Sequence, residues 1–437
     1  MTDVLLLSGS VPARSAALEL AEVGVKVWIA DVPSQLPSAP VRDPHGTVAQ
    51  LLDELAAPIA DGGHEEPGVR AVRQPEEPVL LRAYDGSLQP KPEPAPWGIP
   101  TVPLARDSLA VLGTGGAMRA YLDRLKPVLT IGKQENLAKL VKSRLGAQVL
   151  KLLVEPLVRE RYGRPATEVD VAEAAPGLNE SLTRAGSLSG GALLHLERHV
   201  ARETLVAPAD GWLRFGEVLL ERLGLYGAER LDAAIVGLEA ADNSTWRAHD
   251  ETGRTRSFDA IITGPGDALP SSSELFGEIS ALAGSAVREY AEFGIEAPEA
   301  AGENADTALL MLATSSAGST WAARVRRGAD GAWSVLLSGP VRDRHEDATP
   351  PAVLEALVRD LGLSPTQIPQ TVSIEPAPFA TRAEQEASEK RLHDWAAAHQ
   401  HVLACGTQLF GGELSEAIGD ARQRAVHLRR RLLGIAE

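Results

Sequence analysis

The opening thirty residues spell a β-α-β unit whose phosphate-gripping glycines are missing, and no other stretch limits so strongly what this chain can fold into. Val4, Leu5, Leu6 and Leu7 read as a buried strand, and Ala16 to Val23 as a helix packed on it. Val25, Val27 and Ile29 read as a second strand that ends at the acid Asp31. An acid about twenty residues past the turn is where a dinucleotide-binding unit meets a ribose hydroxyl. The turn departs from that scheme, because the pattern G-x-G-x-x-G stands here as Ser8, Gly9, Ser10, Val11, Pro12, Ala13. Ser10 puts a side chain where the second glycine lets a pyrophosphate approach the backbone, and Pro12 removes one N–H from the helix start.

A chain of 437 residues exceeds what one hydrophobic core organises, so two domains are expected. The net charge of −16 argues against a nucleic-acid surface, which needs clustered cations. A single cysteine excludes an intrachain disulfide framework and a thiolate-rich zinc site. The sequence contains neither a charged leader with an apolar segment nor a long uncharged apolar run, so no transmembrane segment is expected and the expected location is cytoplasmic.

Between Pro67 and Pro103 the density of proline fits a linker, yet Val79 to Leu81, the turn Asp85–Gly86 and Leu88 fit a hairpin equally well. Helical periodicity follows over Ala117 to Leu125, Asn136 to Leu145 and Ala147 to Arg161, which marks a helical subdomain. Another helix spans Asp210 to Leu225 with Trp212, Phe215, Leu219 and Leu223 at core spacing, followed by short strands ending at Phe258 to Thr263. Strands recur at Ala308 to Leu312 and Trp333 to Leu337, and a helix at Ala352 to Leu361. The C-terminus repeats the opening grammar: strand Val402 to Ala404, a glycine-bearing turn from Gly406 to Gly412, and a basic helix from Leu414 to Leu433.

Several short motifs occur in one order along the chain. They are Arg144-Leu145-Gly146, then Leu153-Val154-Glu155-Pro156-Leu157-Val158 closing at Tyr162, then Asp210-Gly211-Trp212, Thr263-Gly264-Pro265, Cys405-Gly406-Thr407 and Gly411-Gly412-Glu413. In that order they resemble the protoporphyrinogen and coproporphyrinogen oxidase family, within the flavin-dependent amine-oxidase-type folds. The resemblance implies an α/β fold: a discontinuous FAD/NAD(P)-binding Rossmann-type domain plus an α+β substrate domain with a helical subdomain. The FAD-binding-like domain is expected at 1–75, 190–275 and 396–437, and the substrate-binding-like domain at 76–189 and 276–395. The hairpin, and not the linker, follows from the resemblance. So does FAD as cofactor, with Ser8, Gly9, Ser10, Ala13, Asp31, Gly406, Thr407, Gly411 and Gly412 at the cofactor-binding positions.

At those positions the chain departs from the family. Ser8, Ser10 and Ala13 replace the three glycines, the G-G-R after the ribose acid is absent, Thr407 replaces an acidic or amide residue, and Glu413 stands in the closing glycine turn. Each lost hydrogen bond to a charged group is worth roughly 1.5 to 3 kcal/mol, so two or three losses weaken binding by on the order of a hundredfold to a millionfold. The expectation is a protein of this family with weakened or lost flavin binding, a pseudoenzyme that binds a tetrapyrrole or a protein partner. The alternative is an active FAD-dependent porphyrinogen oxidase of haem biosynthesis.

His195 and His199 stand four apart, but with no glutamate in the H-E-x-x-H position no metal site is expected. His393, His399 and His401 cluster near the C-terminal strand, where a porphyrin iron ligand is conceivable, although histidines at helix ends are common. Cys405 reads as a small buried residue. Arg422, Arg424, Arg429, Arg430 and Arg431 either meet a partner's carboxylates or complement a helix dipole.

Overall fold

In the computed structural model, which describes residues 2–435 except 60–62, 76, 128–133, 199–203, 242–244, 268–273, 299–306, 329, 368 and 370, the first strand is Asp3–Leu6 and the second Lys26–Ile29. The helix between them is Val11–Ala21, starting five residues earlier than the apolar pattern suggests. Ser10 caps it, and a proline in the first turn costs nothing because its N–H would lack a helical partner anyway.

By internal contacts the chain divides into two compact units, Met1–Pro75, Ala201–Gly284 and Glu386–Glu437 forming one, Glu76–Val200 and Ser285–Gln385 the other. Segment 190–200, read from the sequence with the cofactor domain, belongs to the second unit because it continues the helix Leu188–Arg198. Segments 276–284 and 386–395, read with the substrate domain, fall in the first, since Ile279 and Leu392 share a core with the strand residues Leu5 and Ile261.

The first unit is built on a five-stranded sheet ordered Val402–Ala404, Ala260–Thr263, Asp3–Leu6, Lys26–Ile29, Glu229–Arg230, every pair parallel. A parallel sheet must be covered on both faces, and the alternation of side chains divides its residues accordingly. Val4, Leu6, Val27 and Ile29 pack beneath the helices Val11–Ala21, Thr47–Ala56, Gly211–Leu225 and Leu414–Leu432. Leu5, Leu7 and Ile261 face the other way, with Leu238, Ala248 and Phe258 of the antiparallel meander Ile235–Ala241, Thr245–Asp250, Thr255–Phe258.

The second unit combines a seven-stranded mixed sheet with a helical part. Val79–Arg82 and Leu88–Pro90 do form a hairpin, and Val79–Arg82 joins Ala308–Thr314 in parallel. The single helix expected over Ala147 to Arg161 is broken: Leu150–Val154 is a π turn, after which Glu155–Tyr162 resumes. Pro156 sits just past the π turn and brings no N–H to the ladder, which is the usual cause of such a break. Most of the motif from Arg144 to Tyr162 serves packing. Arg144 pairs with the buried Asp123 at 2.8 Å and Tyr162 stacks on Trp97 at 5.6 Å. Arg288 reaches back from strand Ala286–Ile295 to the carbonyls of Arg159, Glu160 and Arg161. Among the described residues no helix is long and apolar enough to cross a membrane.

Candidate functional site

The carboxyl ends of the parallel strands carry the two glycine-bearing turns, with the loop Thr263–Asp267 between them in strand order. This is the crevice where open α/β sheets bind ligands. Of the four backbone nitrogens at the start of helix Val11–Ala21, those of residues 10 to 13, three offer nothing to an anion. Ser10 N donates to Ser8 Oγ at 3.2 Å, Pro12 has no N–H, and Ala13 N donates to Ser10 Oγ at 3.4 Å.

The segment after the second strand closes the turn from outside. Gln35 N donates to Gly9 O at 3.0 Å, and Ser10 and Gln35 form a parallel bridge. A Cβ on Gly9 would lie 1.8 Å from Pro33 O, so the one glycine kept in the motif is required by the chain's own backbone. Asp31 is exposed before this segment.

A carboxylate fills the crevice. Asp267 Oδ1 accepts from Ser8 Oγ and Gln35 Nε2, both at 3.0 Å, and its Oδ2 accepts from Gly264 N at 2.6 Å and Thr263 Oγ1 at 3.3 Å. Ser8 Oγ is also 3.0 Å from Ser10 Oγ. With one hydrogen to give, Ser8 donates to the carboxylate and receives from Ser10. Burial pushes the Asp267 carboxyl up to about 6, although the four hydrogen bonds pull the other way.

At the C-terminal turn, Cys405 N donates to Thr263 O at 2.7 Å, and a Cβ on Gly264 would meet Cys405 O at 1.9 Å. Gly406 has φ 154°, and Thr407–Phe410 winds as a 3₁₀ turn closed by Gly412 N to Thr407 O at 2.8 Å. Gly411 and Gly412 both have positive φ and deliver the chain to Glu413, the residue before helix Leu414–Leu432. A Cβ on Gly406 would lie 2.6 Å from Gln408 Oε1, so this side chain lies against the glycine. Cys405 is fully buried, its thiol pushed up to about 12.

The structure thus brings Ser8, Gly9, Ser10 and Ala13 into one hydrogen-bonded turn and ties Ser8 to the loop that packs on Cys405. Asp267, Gln35 and Gln408 escaped the sequence reading because no motif flags a lone acid or amide in a loop. The residues present do not fit a flavin pyrophosphate: the N–H groups that would grip it are taken by the Ser8 and Ser10 hydroxyls or absent at Pro12, and the Asp267 carboxylate is bonded to the same turn through Ser8.

The other sequence candidates are dispersed. His195 is buried in the helix Leu188–Arg198, and His199 lies outside the described residues. His399 stacks on Trp395 at 4.3 Å and sits 3.2 Å from Glu278, whereas His401 Nδ1 lies 2.9 Å from Asp259 O. His393 borders a groove of about 610 Å³ between Arg382–Ala398 and Leu414–Leu432. Arg422 is engaged by Glu19 and Glu54, and Arg424 by Asp420, so these two cations serve the fold. Among the described residues no cluster of His, Cys, Asp or Glu could hold a metal ion.

No protein-family model matches this sequence, and no curated protein sequence is significantly similar to it. Solved structures are similar throughout. The protein named "Putative protoporphyrinogen oxidase" from Exiguobacterium sp. 255-15 superposes with TM-score 0.64 at 14% identity, over 98% of this chain and 99% of its own. An oxidoreductase from Methanosarcina mazei superposes with TM-score 0.53 at 11% identity, over 97% and 100%. This chain shares the fold of these two proteins over nearly its whole length.

Proposed function

We propose that this chain is a flavin-oxidoreductase fold that works without a tightly bound flavin, as a non-catalytic protein that binds a tetrapyrrole or a protein partner. The observation that carries this reading is the helix start at the crevice, where Ser10 N and Ala13 N are taken by the hydroxyls of Ser8 and Ser10 and Pro12 has no N–H to offer a pyrophosphate. Asp267 supports it, because a carboxylate in that crevice repels phosphate and already takes the donors of Ser8, Thr263, Gln35 and Gly264. FAD remains the cofactor of the fold, and hydride removal would be the flavin's chemistry, not that of a side chain.

The tetrapyrrole half of the reading rests on the name of the Exiguobacterium neighbour and on the groove beside His393. Leu392, Phe410 and Ala396 line it, and His427 and Arg431 face it, together with the acid Glu389. An apolar floor with cations at its border suits a flat apolar ring edged with carboxylates. The cytoplasm stays the expected compartment, on the sequence alone.

The competing reading, an active porphyrinogen oxidase, requires the Ser8 and Ser10 hydroxyls to release the N–H groups of the turn and Asp267 to yield. Purification from cells without added cofactor separates the two. The proposed protein is colourless after gel filtration, and stoichiometric flavin absorbance would restore the oxidase.

A further inference from the structure

The first helix holds a charge that the protein does not neutralise. Arg14, on its first turn, is 3% exposed. Its Nη2 donates to Ser34 Oγ at 2.8 Å, while Nε and Nη1 are buried with no hydrogen-bond partner among the described residues. The charge that acts on it is a second cation, Arg230; burial first, and Arg230 after it, hold the guanidinium below its ordinary range. Strand pairing explains the proximity. Arg230 stands opposite Ile29 in a parallel pair, so it leaves the sheet on the face where Ile29 packs with Ala13, Ala16 and Ala17 of the helix.

A buried cation with two unused donors beside another cation is costly, and an anion relieves both the desolvation and the repulsion. The chain carries an excess of sixteen acidic charges, yet none acts on Arg14 here. The arginine fork matches two oxygens of one anion. Ser34, which accepts from Arg14, is itself exposed, so the hydrogen bond links this guanidinium to a residue at the surface. Its hydroxyl can donate outward while accepting from Arg14. Two guanidiniums balance a dianion, whereas a lone carboxylate would leave one cation uncompensated.

We infer that Arg14, Arg230 and Ser34 form a binding site for a phosphomonoester group, reached from the solvent side of the Pro33–Gln35 segment. It takes a terminal phosphate and not a bridging pyrophosphate, which the closed turn excludes. It goes beyond the tetrapyrrole or partner reading and does not depend on it.

The test compares the thermal midpoint of the full-length protein in inorganic phosphate and in chloride at equal ionic strength. Calorimetry with adenosine 5′-monophosphate and with glucose 6-phosphate accompanies it. Phosphate is expected to raise the midpoint by about 2 °C or more. Arg14→Leu is expected to be more stable than the parent in chloride and to lose the phosphate response. Arg230→Gln, at an exposed position, is expected to weaken phosphate affinity about tenfold, the effect of one charged hydrogen-bond partner. Tighter binding of the adenosine ester identifies a nucleoside carrier; equal binding of the two esters means that the phosphate alone is read. Equal midpoints in phosphate and chloride would overturn the site, as would an undiminished response in both variants. Should Arg14→Leu fail to fold, unchanged affinity in Arg230→Gln is sufficient to overturn it.

Discussion

A carboxylate that accepts four hydrogen bonds ordinarily titrates low, so a value of about 6 for Asp267 means that burial outweighs them. The sign of the pH dependence follows. The folded value lies above the unfolded one, near 3.8, so the native state holds this proton longer; stability from this group is fully present below the unfolded value and lost as pH rises through 6. The displacement corresponds to at most about 3 kcal/mol of destabilisation at neutral pH. Asp267→Asn removes the charge and keeps the shape. Its amide oxygen can accept from Gly264 N–H and the Thr263 hydroxyl, and its amide nitrogen can donate to Ser8 Oγ, with Gln35 turning its own oxygen inward. The variant should therefore be more stable than the parent at pH 8, with the difference shrinking toward pH 4.5. Urea unfolding across that range checks it; a difference independent of pH would mean that the carboxylate is not buried as described.

Elements were legible where periodicity and punctuation agreed, and less so where the cause was tertiary. The opening strand, the helix Gly211–Leu225 and the C-terminal strand and helix are readable because their apolar positions recur at 2 or 3.6 residues and their ends carry Gly, Asp or Pro. The proline-rich stretch was ambiguous because its strands pair with residues more than two hundred positions away, as Leu80 does with Leu309. The turn was half legible: the missing glycines were visible, but not the pairing of Gln35 with Gly9 and Ser10 or the Asp267 carboxylate bonded to Ser8. This changes what repair would take. From sequence alone, Ser10→Gly, Ala13→Gly and Glu413→Gly restore the family's turn. In the structure Ser8 still takes the N–H of residue 10, Pro12 still lacks one and Asp267 stays bonded to Ser8 after those changes, so the triple variant should gain no FAD affinity by calorimetry. It should also lose about 1 kcal/mol, chiefly from glycine at Ala13 in the helix. A clear gain in affinity would show that the turn yields to the cofactor. In the other unit, Arg288 donates to the carbonyls of Gly339, Arg159, Glu160 and Arg161, and Gly163 leaves room for it. Arg288→Met orphans these acceptors and should cost about 3 kcal/mol or more in denaturant unfolding; a loss below about 1 kcal/mol would mean that water replaces the guanidinium.

At the scale of the whole molecule, the fold matches a solved neighbour end to end, while Asp267, Ser8 and Gln35 are hydrogen-bonded to one another at the carboxyl ends of its parallel strands. What remains to be bound is the question that a titration can answer. Seven tryptophans are spread through the chain, and Trp395 is on the helix that forms one wall of the groove. A porphyrin docked there lies close enough to accept their excitation. Protoporphyrin or coproporphyrin at micromolar concentration should therefore quench the tryptophan fluorescence in a saturable way. Arg431→Glu, which reverses a charge at the groove while leaving the core untouched, should weaken the effect about tenfold or more, as loss and repulsion at a carboxylate partner would. Saturable quenching that Arg431→Glu leaves unchanged would move the porphyrin elsewhere on the molecule. Absence of quenching by either porphyrin would remove the tetrapyrrole from the proposed function and leave a protein partner as the ligand for which this fold was kept.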